Sequence, residues 1–183
     1  MIIIELEGKE YRMPESWTEV KLETFEKIVK HISVLSDYKS QYQYAIELFS
    51  ILTDAPTDDL YGMTKASFEE LSKRCEWASG DVEATDVKSW VIEGEEFMAV
   101  KDLNSLTMGD TISLELTIQN SQSWELLTNI LPILIRKVKV ISKPDGEVKK
   151  VPEKFDADNY EETKQLFRKH LNVADVNQLK DFF

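Results

Sequence analysis

The fold is set by a stretch that the chain contains twice, EGEEFMAVKDLNSLTM at residues 93–108 and EGKEYRMPESWTEVKL at residues 7–22. The copies align without a gap at an offset of 86 residues, which places Gly8 on Gly94. The agreeing positions are identical or alike in apolar character, and they are Glu7/Glu93, Glu10/Glu96, Tyr11/Phe97, Val20/Leu106, Leu22/Met108 and Ile28/Leu114. Agreement at apolar positions is what a repeated core requires, so the sequence predicts a duplicated structural module.

Each copy opens with the pattern of a β-hairpin. Ile2, Ile4 and Leu6 fall at every second position, which is the period of a half-buried strand. We expect two-residue turns at Gly8-Lys9 and at Gly94-Glu95, because glycine at the first turn position fits a type II′ turn. Two antiparallel hairpins follow from this pattern.

Three helices are predicted after each hairpin. In the second copy the first helix begins after Thr107, a capping residue that has the acidic Asp110 three positions on. Apolar residues at helical spacing predict the remaining helices at Gln41–Leu52, Thr64–Trp77, Ser123–Arg136 and Asp156–Leu171. Pro132 is expected to kink its helix or to end it near Leu131.

The second copy also carries an insertion, Val138–Pro152. Pro144-Asp145-Gly146 favours a turn, so we predict an extra hairpin there. The segment is basic, with Arg136, Lys137, Lys139, Lys143, Lys149 and Lys150 in and beside it. Two interpretations fit: a solvated hairpin whose lysines prevent edge-to-edge pairing, or a contact arm that reaches an acidic partner surface such as a neighbouring copy.

The predicted fold is therefore α+β and mostly helical. It is a tandem duplication of a β-hairpin plus three-helix unit, with the extra hairpin inserted at about 138–152. The first unit is expected at residues 1–79 and a polar linker at residues 80–87. The second unit is expected at residues 88–183 and includes a short C-terminal helix that contains Val173, Val176 and Leu179.

Composition narrows the class of protein. Acidic residues outnumber basic ones 34 to 22, which gives a formal net charge of −12. Such a surface repels phosphate backbones, so sequence-specific nucleic acid binding is not expected. The longest apolar run, Ile130–Ile135, is far shorter than the roughly 20 residues that cross a bilayer. The single cysteine, Cys75, excludes an internal disulfide, and we expect assembly in a cytoplasm without a membrane partner.

Candidate chemistry is sparse. His31 and His170 are the only histidines, and both are expected at the surface or at helix ends. Cys75 lies on an apolar helical face and is expected to be a small buried hydrophobe. The sequence contains no phosphate-binding glycine loop, nucleophile elbow or calcium loop. We therefore assign no catalytic, cofactor-binding or metal-binding residue.

Protein contact is the function that the residues favour. Trp17 is the leading candidate for an interface anchor, because tryptophan contributes strongly to buried contacts and its neighbours are polar. The other interface candidates are the inserted lysines and the apolar end of the sequence, namely Lys139, Lys143, Lys149, Lys150, Phe182 and Phe183. The two phenylalanines are expected to dock on this chain or on another.

The segments GKEYRMPESWTEV at residues 8–20 and LTMGD at residues 106–110 resemble small structural or assembly proteins of tailed bacteriophages. Members of that group combine a short hairpin, a link with a tryptophan and an acidic helix opened by Thr-Leu-Gly-Glu or a variant. The resemblance covers the opening of each half, and the first copy departs from it at 21–24. It implies a virion component of the neck or tail, or a chaperone that assembles it, without enzymatic activity.

We accordingly expect a non-enzymatic virion structural protein, a ring-forming head-to-tail connector, neck or tail component. Its partners would be other phage structural proteins and copies of itself. One alternative is a tail-assembly chaperone that is present in infected cells but absent from virions. A second alternative is a small enzyme or nucleotide-binding regulator whose site is built from scattered carboxylates.

Overall fold

The structure is a computed structural model that describes residues 1–6, 8–100, 102–142, 146–177 and 179. It is an α+β fold in which helices predominate, as the sequence predicts. The chain divides into two compact units. Unit 1 contains Met1–Thr85 and Asn172–Asn177, and unit 2 contains Asp86–Leu171.

Unit 1 begins with the hairpin β1 (Ile2–Leu6) and β2 (Lys9–Met13). Four helices follow it, α1 (Leu22–Ser33), α2 (Gln41–Thr53), the additional short α3 (Thr57–Tyr61) and α4 (Lys65–Arg74). Met13, Leu22 and Ile28 are among its fully buried side chains. The core therefore lies between the hairpin and the helices.

Unit 2 repeats the hairpin as β3 (Ser89–Ile92) and β4 (Glu95–Ala99). The elements after it are α5 (Met108–Asn120), α6 (Leu126–Leu134), β5 (Ile135–Ser142), β6 (Val148–Pro152) and α7 (Tyr160–His170). Its strands form one antiparallel sheet in the order β3-β4-β5-β6. Phe97 of β4 packs edge-on against Phe167 of α7, with ring centroids 5.3 Å apart.

The two hairpins keep the 86-residue offset, but the predicted turn type is wrong. Ile92 pairs with Glu95, so the turn residues are Glu93 and Gly94, with glycine second. Their φ angles are 52° and 84°, which is the type I′ pattern whose twist matches the twist of the strands. The first hairpin has the same register, with Leu6 opposite Lys9.

Pro132 does not end its helix near Leu131, which was one of the two predicted outcomes. Helix α6 continues past Leu131 to Leu134 and leads directly into β5. Ile133 and Leu134 are almost completely buried in the unit 2 core, and this packing holds the final turn in place.

The inserted hairpin is confirmed, and its base is part of the sheet. Strand β5 pairs with β4 through Phe97 opposite Lys137 and Ala99 opposite Ile135. Just beyond this pairing, the Val100 N–H donates to the Leu134 carbonyl at 2.8 Å. The insertion thus extends the repeated hairpin into a four-stranded sheet.

The short C-terminal helix α8 (Val173–Val176) groups with unit 1, not with the second unit as the sequence suggested. The Val173 N–H donates to the Val20 carbonyl at 2.9 Å, and Asn172 forms a β-bridge with Lys21. Val173 and Val176 are fully buried, so apolar packing holds the helix there. The division between the units falls after Thr85, inside the predicted linker.

Candidate functional site

The part of unit 2 with the clearest interaction chemistry is the inserted hairpin, residues 138–142 and 148–152, which we call the arm. Its register places Lys139 opposite Val151 and Ile141 opposite Lys149, so these side chains share one face. Val140 and Val148 belong to the other face. They are 60% and 62% exposed, and Ile141 is 41% exposed. The arm therefore presents aliphatic side chains to solvent on both faces.

The lysines of the arm fall into two groups. Lys150 forms an ion pair within unit 2, because its Nζ lies 2.6 Å from a carboxylate oxygen of Glu96. Lys139 and Lys149 are exposed, and no acidic side chain in the described parts of the chain lies within ion-pair distance of either. Lys143 falls outside the described residues. Two of the predicted contact lysines are thus available to an acidic partner.

A buried ion pair anchors the base of the arm to α5. Arg136 Nη2 lies 3.3 Å from Asp110 Oδ2, and both side chains are less than one-tenth exposed. Asp110 also accepts from the Thr107 N–H at 2.8 Å, while its own N–H donates to the Thr107 hydroxyl, which completes the predicted capping box. Burial raises the pKa of Asp110, but these hydrogen bonds and the guanidinium outweigh it, so the pKa is lowered overall. Sequence reasoning found the cap but missed Arg136 as its partner.

A groove of about 690 Å³ lies in unit 2 beside α7 and the sheet. Phe97, Ile135 and Leu166 contribute apolar surface. Its charged side chains have both signs: Lys137 Nζ lies 2.5 Å from a Glu95 carboxylate oxygen, and other lining residues include Lys154, Asp156 and Lys169. Such a mixed lining suits a peptide segment better than a small ion.

Trp17 is not available as an interface anchor, which corrects the prediction. It is only 9% exposed and packs edge-on against Phe25 and Trp77, at centroid distances of 5.8 and 5.1 Å. Its indole N–H donates to the Gly80 carbonyl at 3.1 Å. The polar neighbours of Trp17 in the sequence do not reveal these distant partners, so its burial could not be predicted from them.

His31 lies in the last turn of α1, which agrees with the predicted helix-end position, but its side chain is buried. Its ring stacks on Tyr44 at a centroid distance of 4.3 Å, and its Nε2 lies 2.9 Å from the Tyr44 carbonyl oxygen. Tyr38 donates a hydrogen bond to Glu47, and this bond raises the pKa of Tyr38 to about 12. The cluster joins α1 to α2, so we interpret it as a polar clamp between two helices.

Cys75 behaves as the sequence predicts. It is buried, its thiol lies 3.4 Å from the Met13 sulfur, and burial raises its pKa to about 11. A thiol with that pKa is almost wholly protonated at neutral pH and is a poor nucleophile.

Phe182 and Phe183, the remaining interface candidates, lie outside the described residues. Among the residues that the structure describes, no group of three or more His, Cys, Asp or Glu side chains is arranged to hold a metal ion. None of the helices in the described ranges is both long enough and apolar enough to cross a bilayer.

Comparison with known proteins does not assign the chain to a family. No family model matches the chain, and neither a curated protein nor a solved structure shows significant similarity to it.

Proposed function

We propose that this chain is a non-enzymatic structural protein of a tailed-phage particle, a ring-forming component of the neck, head-to-tail connector or tail. Its partners are other particle proteins and copies of itself. The observation that carries the proposal is the arm, a cationic and aliphatic hairpin on a chain of net charge −12.

The chemistry of the arm supports a role in protein contact. Val140, Ile141 and Val148 each leave a large fraction of an aliphatic side chain in water. Burying such a side chain is worth about 1.5–3 kcal/mol, so a partner that covers the arm gains binding energy. Lys139 and Lys149 then favour a partner with an acidic surface.

The anchor of the arm supports the same role. A hairpin of two strands is at best marginally stable by itself in water. Here β5 also pairs with β4, and Arg136 is buried against Asp110. A hairpin held in place at its base loses less conformational entropy on binding, which favours affinity.

The test is to look for the chain in finished particles. Particles of the phage that encodes it are purified by density gradient, washed at high salt to remove loosely held material, and analysed by quantitative mass spectrometry. The proposal predicts a fixed copy number that survives the wash. Replacing Val140 with Glu should lower that copy number, whereas the control Ala84→Glu, which makes the same change in net charge in the exposed linker, should not.

The second candidate, a tail-assembly chaperone, is favoured by the groove beside α7. Its volume of about 690 Å³ and its apolar and charged lining suit an extended client segment. The same particle measurement separates the two functions. A chaperone is present in infected cells and absent from washed particles, and that result would overturn the structural role.

A further inference from the structure

A narrow groove of about 220 Å³ runs along β1 in unit 1. One wall is formed by consecutive strand residues, 3–6, so the groove meets the edge of the strand and not one of its faces. The other wall is one face of α4, to which Ser67, Leu71 and Arg74 contribute at helical spacing. A strand edge faced by a helix is a geometry that accepts an added strand.

The backbone of β1 is available along this groove. Strand β1 pairs with β2 on one side, and no strand of the described residues pairs with it on the other. Alternate N–H and C=O groups of such an edge face outward and form a template for another strand. Protein edges are commonly blunted by proline or lysine, and Ile2–Leu6 contains neither.

The exposed face of the same hairpin carries two carboxylates, Glu5 and Glu10, together with Arg12. Glu5 lies directly opposite Glu10 in the register, where like charges destabilise a hairpin. Within the described ranges, neither carboxylate has a lysine or arginine at ion-pair distance. A cationic strand added beside β1 would relieve this repulsion.

The arm supplies a strand with the complementary properties. Strand β6 has five residues, as β1 does, and it forms the outer edge of the four-stranded sheet. It carries Lys149, which has no acidic partner among the described residues, and the exposed aliphatic Val148. Length and charge match those of the groove, whereas the edge of β6, unlike that of β1, carries two lysines and ends in Pro152.

We infer that β6 of one copy adds to the edge of β1 in a second copy, in the groove against α4. Main-chain hydrogen bonds provide the pairing, and Lys149 lies beside Glu5 of the neighbour. The inference rests on the proposed function, in which copies of the chain assemble in a particle. The contact itself is a property of the chain and can be measured without a particle.

The contact is head-to-tail, because the donor strand and the acceptor groove are different surfaces of the chain. Contacts of this type close into rings or continue as filaments. Association should therefore proceed beyond a dimer as the protein concentration rises.

The first test is a charge exchange measured by light scattering on the full chain over a concentration series. Glu5→Lys and Lys149→Glu should each weaken association on the order of tenfold, because each places like charges together. The double variant, which exchanges the charges, should recover most of the loss. Glu83→Lys makes the same change in net charge as Glu5→Lys, but in the exposed linker, and should leave association unchanged.

The second test does not depend on the strength of the charge pair. Ile3→Cys and Val151→Cys, which lie on the same strand faces as Glu5 and Lys149, are prepared separately and mixed under mild oxidation. Ile3 is exposed and Val151 is partly exposed, whereas Cys75 is buried and its pKa is raised to about 11, so it should not compete. The inference predicts a disulfide between the two different variants, and the yield should fall when the Ile3→Cys variant also carries Glu5→Lys.

A chain that stays monomeric at all concentrations and gives no mixed disulfide would overturn the inference. Oligomers that are unaffected by both charge variants and give no mixed disulfide would overturn it as well, since they would use another surface. Capture of a strand from a different protein in place of a second copy would do the same. Each of these results is compatible with the chain being present in particles, so the proposed function can survive where this inference fails.

Discussion

The two units start alike and then diverge at one strand edge. In unit 2, the edge of β4 is covered by β5, and the Val100 N–H completes the contact by donating to Leu134. The position equivalent to Val100 in unit 1 is Pro14, which has no N–H to donate. Unit 1 has no strand beyond β2 in the described residues. Proline at this position is compatible with an edge strand, whereas valine permits the hairpin to extend into a sheet.

The first helices of the two units show a second difference. Leu22 at the start of α1 is 0% exposed, while its counterpart Met108 at the start of α5 is 74% exposed. In unit 1, α8 lies beside Val20 and Lys21, just before this helix. The start of the repeated helix is therefore covered in unit 1 and exposed to solvent in unit 2. Met108 therefore adds exposed apolar surface to unit 2 at a position that is covered in unit 1.

The largest expected effect comes from the buried ion pair of unit 2, Asp110 with Arg136. Asp110→Ala removes the capping carboxylate and leaves Arg136 buried without its partner. Breaking a buried pair in this way costs about 3–5 kcal/mol, which urea unfolding would measure. The control is Thr24→Ala at the equivalent position of unit 1, for which we expect a change within about 0.5 kcal/mol. If both variants lost the same unfolding free energy, the ion pair of Asp110 would not distinguish unit 2 from unit 1.

The same carboxylate makes unit 2 sensitive to acid. Because the pKa of Asp110 is lowered in the folded state, its stabilising contribution is fully present above its ordinary pKa of 3.8. That contribution is lost as the pH falls through the lower folded-state value. The difference in unfolding free energy between the wild type and Asp110→Ala should therefore shrink from pH 7 towards pH 3. A difference that does not change with pH would show that the charge of Asp110 contributes little.

A smaller loss of stability is expected when Val100 of unit 2 is replaced by proline, the residue at the equivalent position of unit 1. Val100→Pro removes the N–H that donates to Leu134 and leaves a buried carbonyl without its partner. The expected loss is about 1–3 kcal/mol in urea unfolding. Pro14→Val, the reverse exchange in unit 1, should change stability by less than about 1 kcal/mol, because it adds chain entropy without breaking a strand pair. If Pro14→Val lost more unfolding free energy than Val100→Pro, the proposed roles of these two residues at the strand edge would be contradicted.

The smallest expected effect concerns the repeated turn. Glu93 has a φ of 52°, a left-handed conformation that asparagine tolerates better than glutamate. Glu93→Asn creates the favoured Asn-Gly turn and should stabilise the chain by about 0.5 kcal/mol, seen as a higher melting temperature. His170 lies 3.5 Å from the Glu93 carboxylate, so His170→Ala serves as a control for loss of that contact. The control should be close to neutral because the pair is exposed.

Much of the fold could be predicted from the sequence because the decisive signals are local. The alternation around Gly8 and Gly94 gives the hairpins, and the Thr107 cap gives the start of α5. The pairing of β5 with β4 and the placement of α8 in unit 1 depend on contacts between distant parts of the chain, which local periodicity does not encode.

For the candidate site too, local features could be predicted from the sequence and contacts between distant residues could not. The basic character of the arm is a local property, so Lys139 and Lys149 were identified correctly as exposed lysines. Arg136 was counted only as one more basic residue, because its buried partner Asp110 lies 26 positions away, on helix α5. Trp17 was misplaced for the same physical reason, since Trp77 and Gly80 cover it from across unit 1.

The most direct test of a contact role for unit 2 is a photo-crosslinking measurement at Val140 of the arm. A photo-reactive amino acid replaces Val140, and the purified particles are irradiated and analysed by mass spectrometry. The structural role predicts that the chain is present and that residue 140 is joined to a second copy or to another particle protein. Particles that lack the chain, or that contain it with residue 140 joined to no protein, would contradict this account.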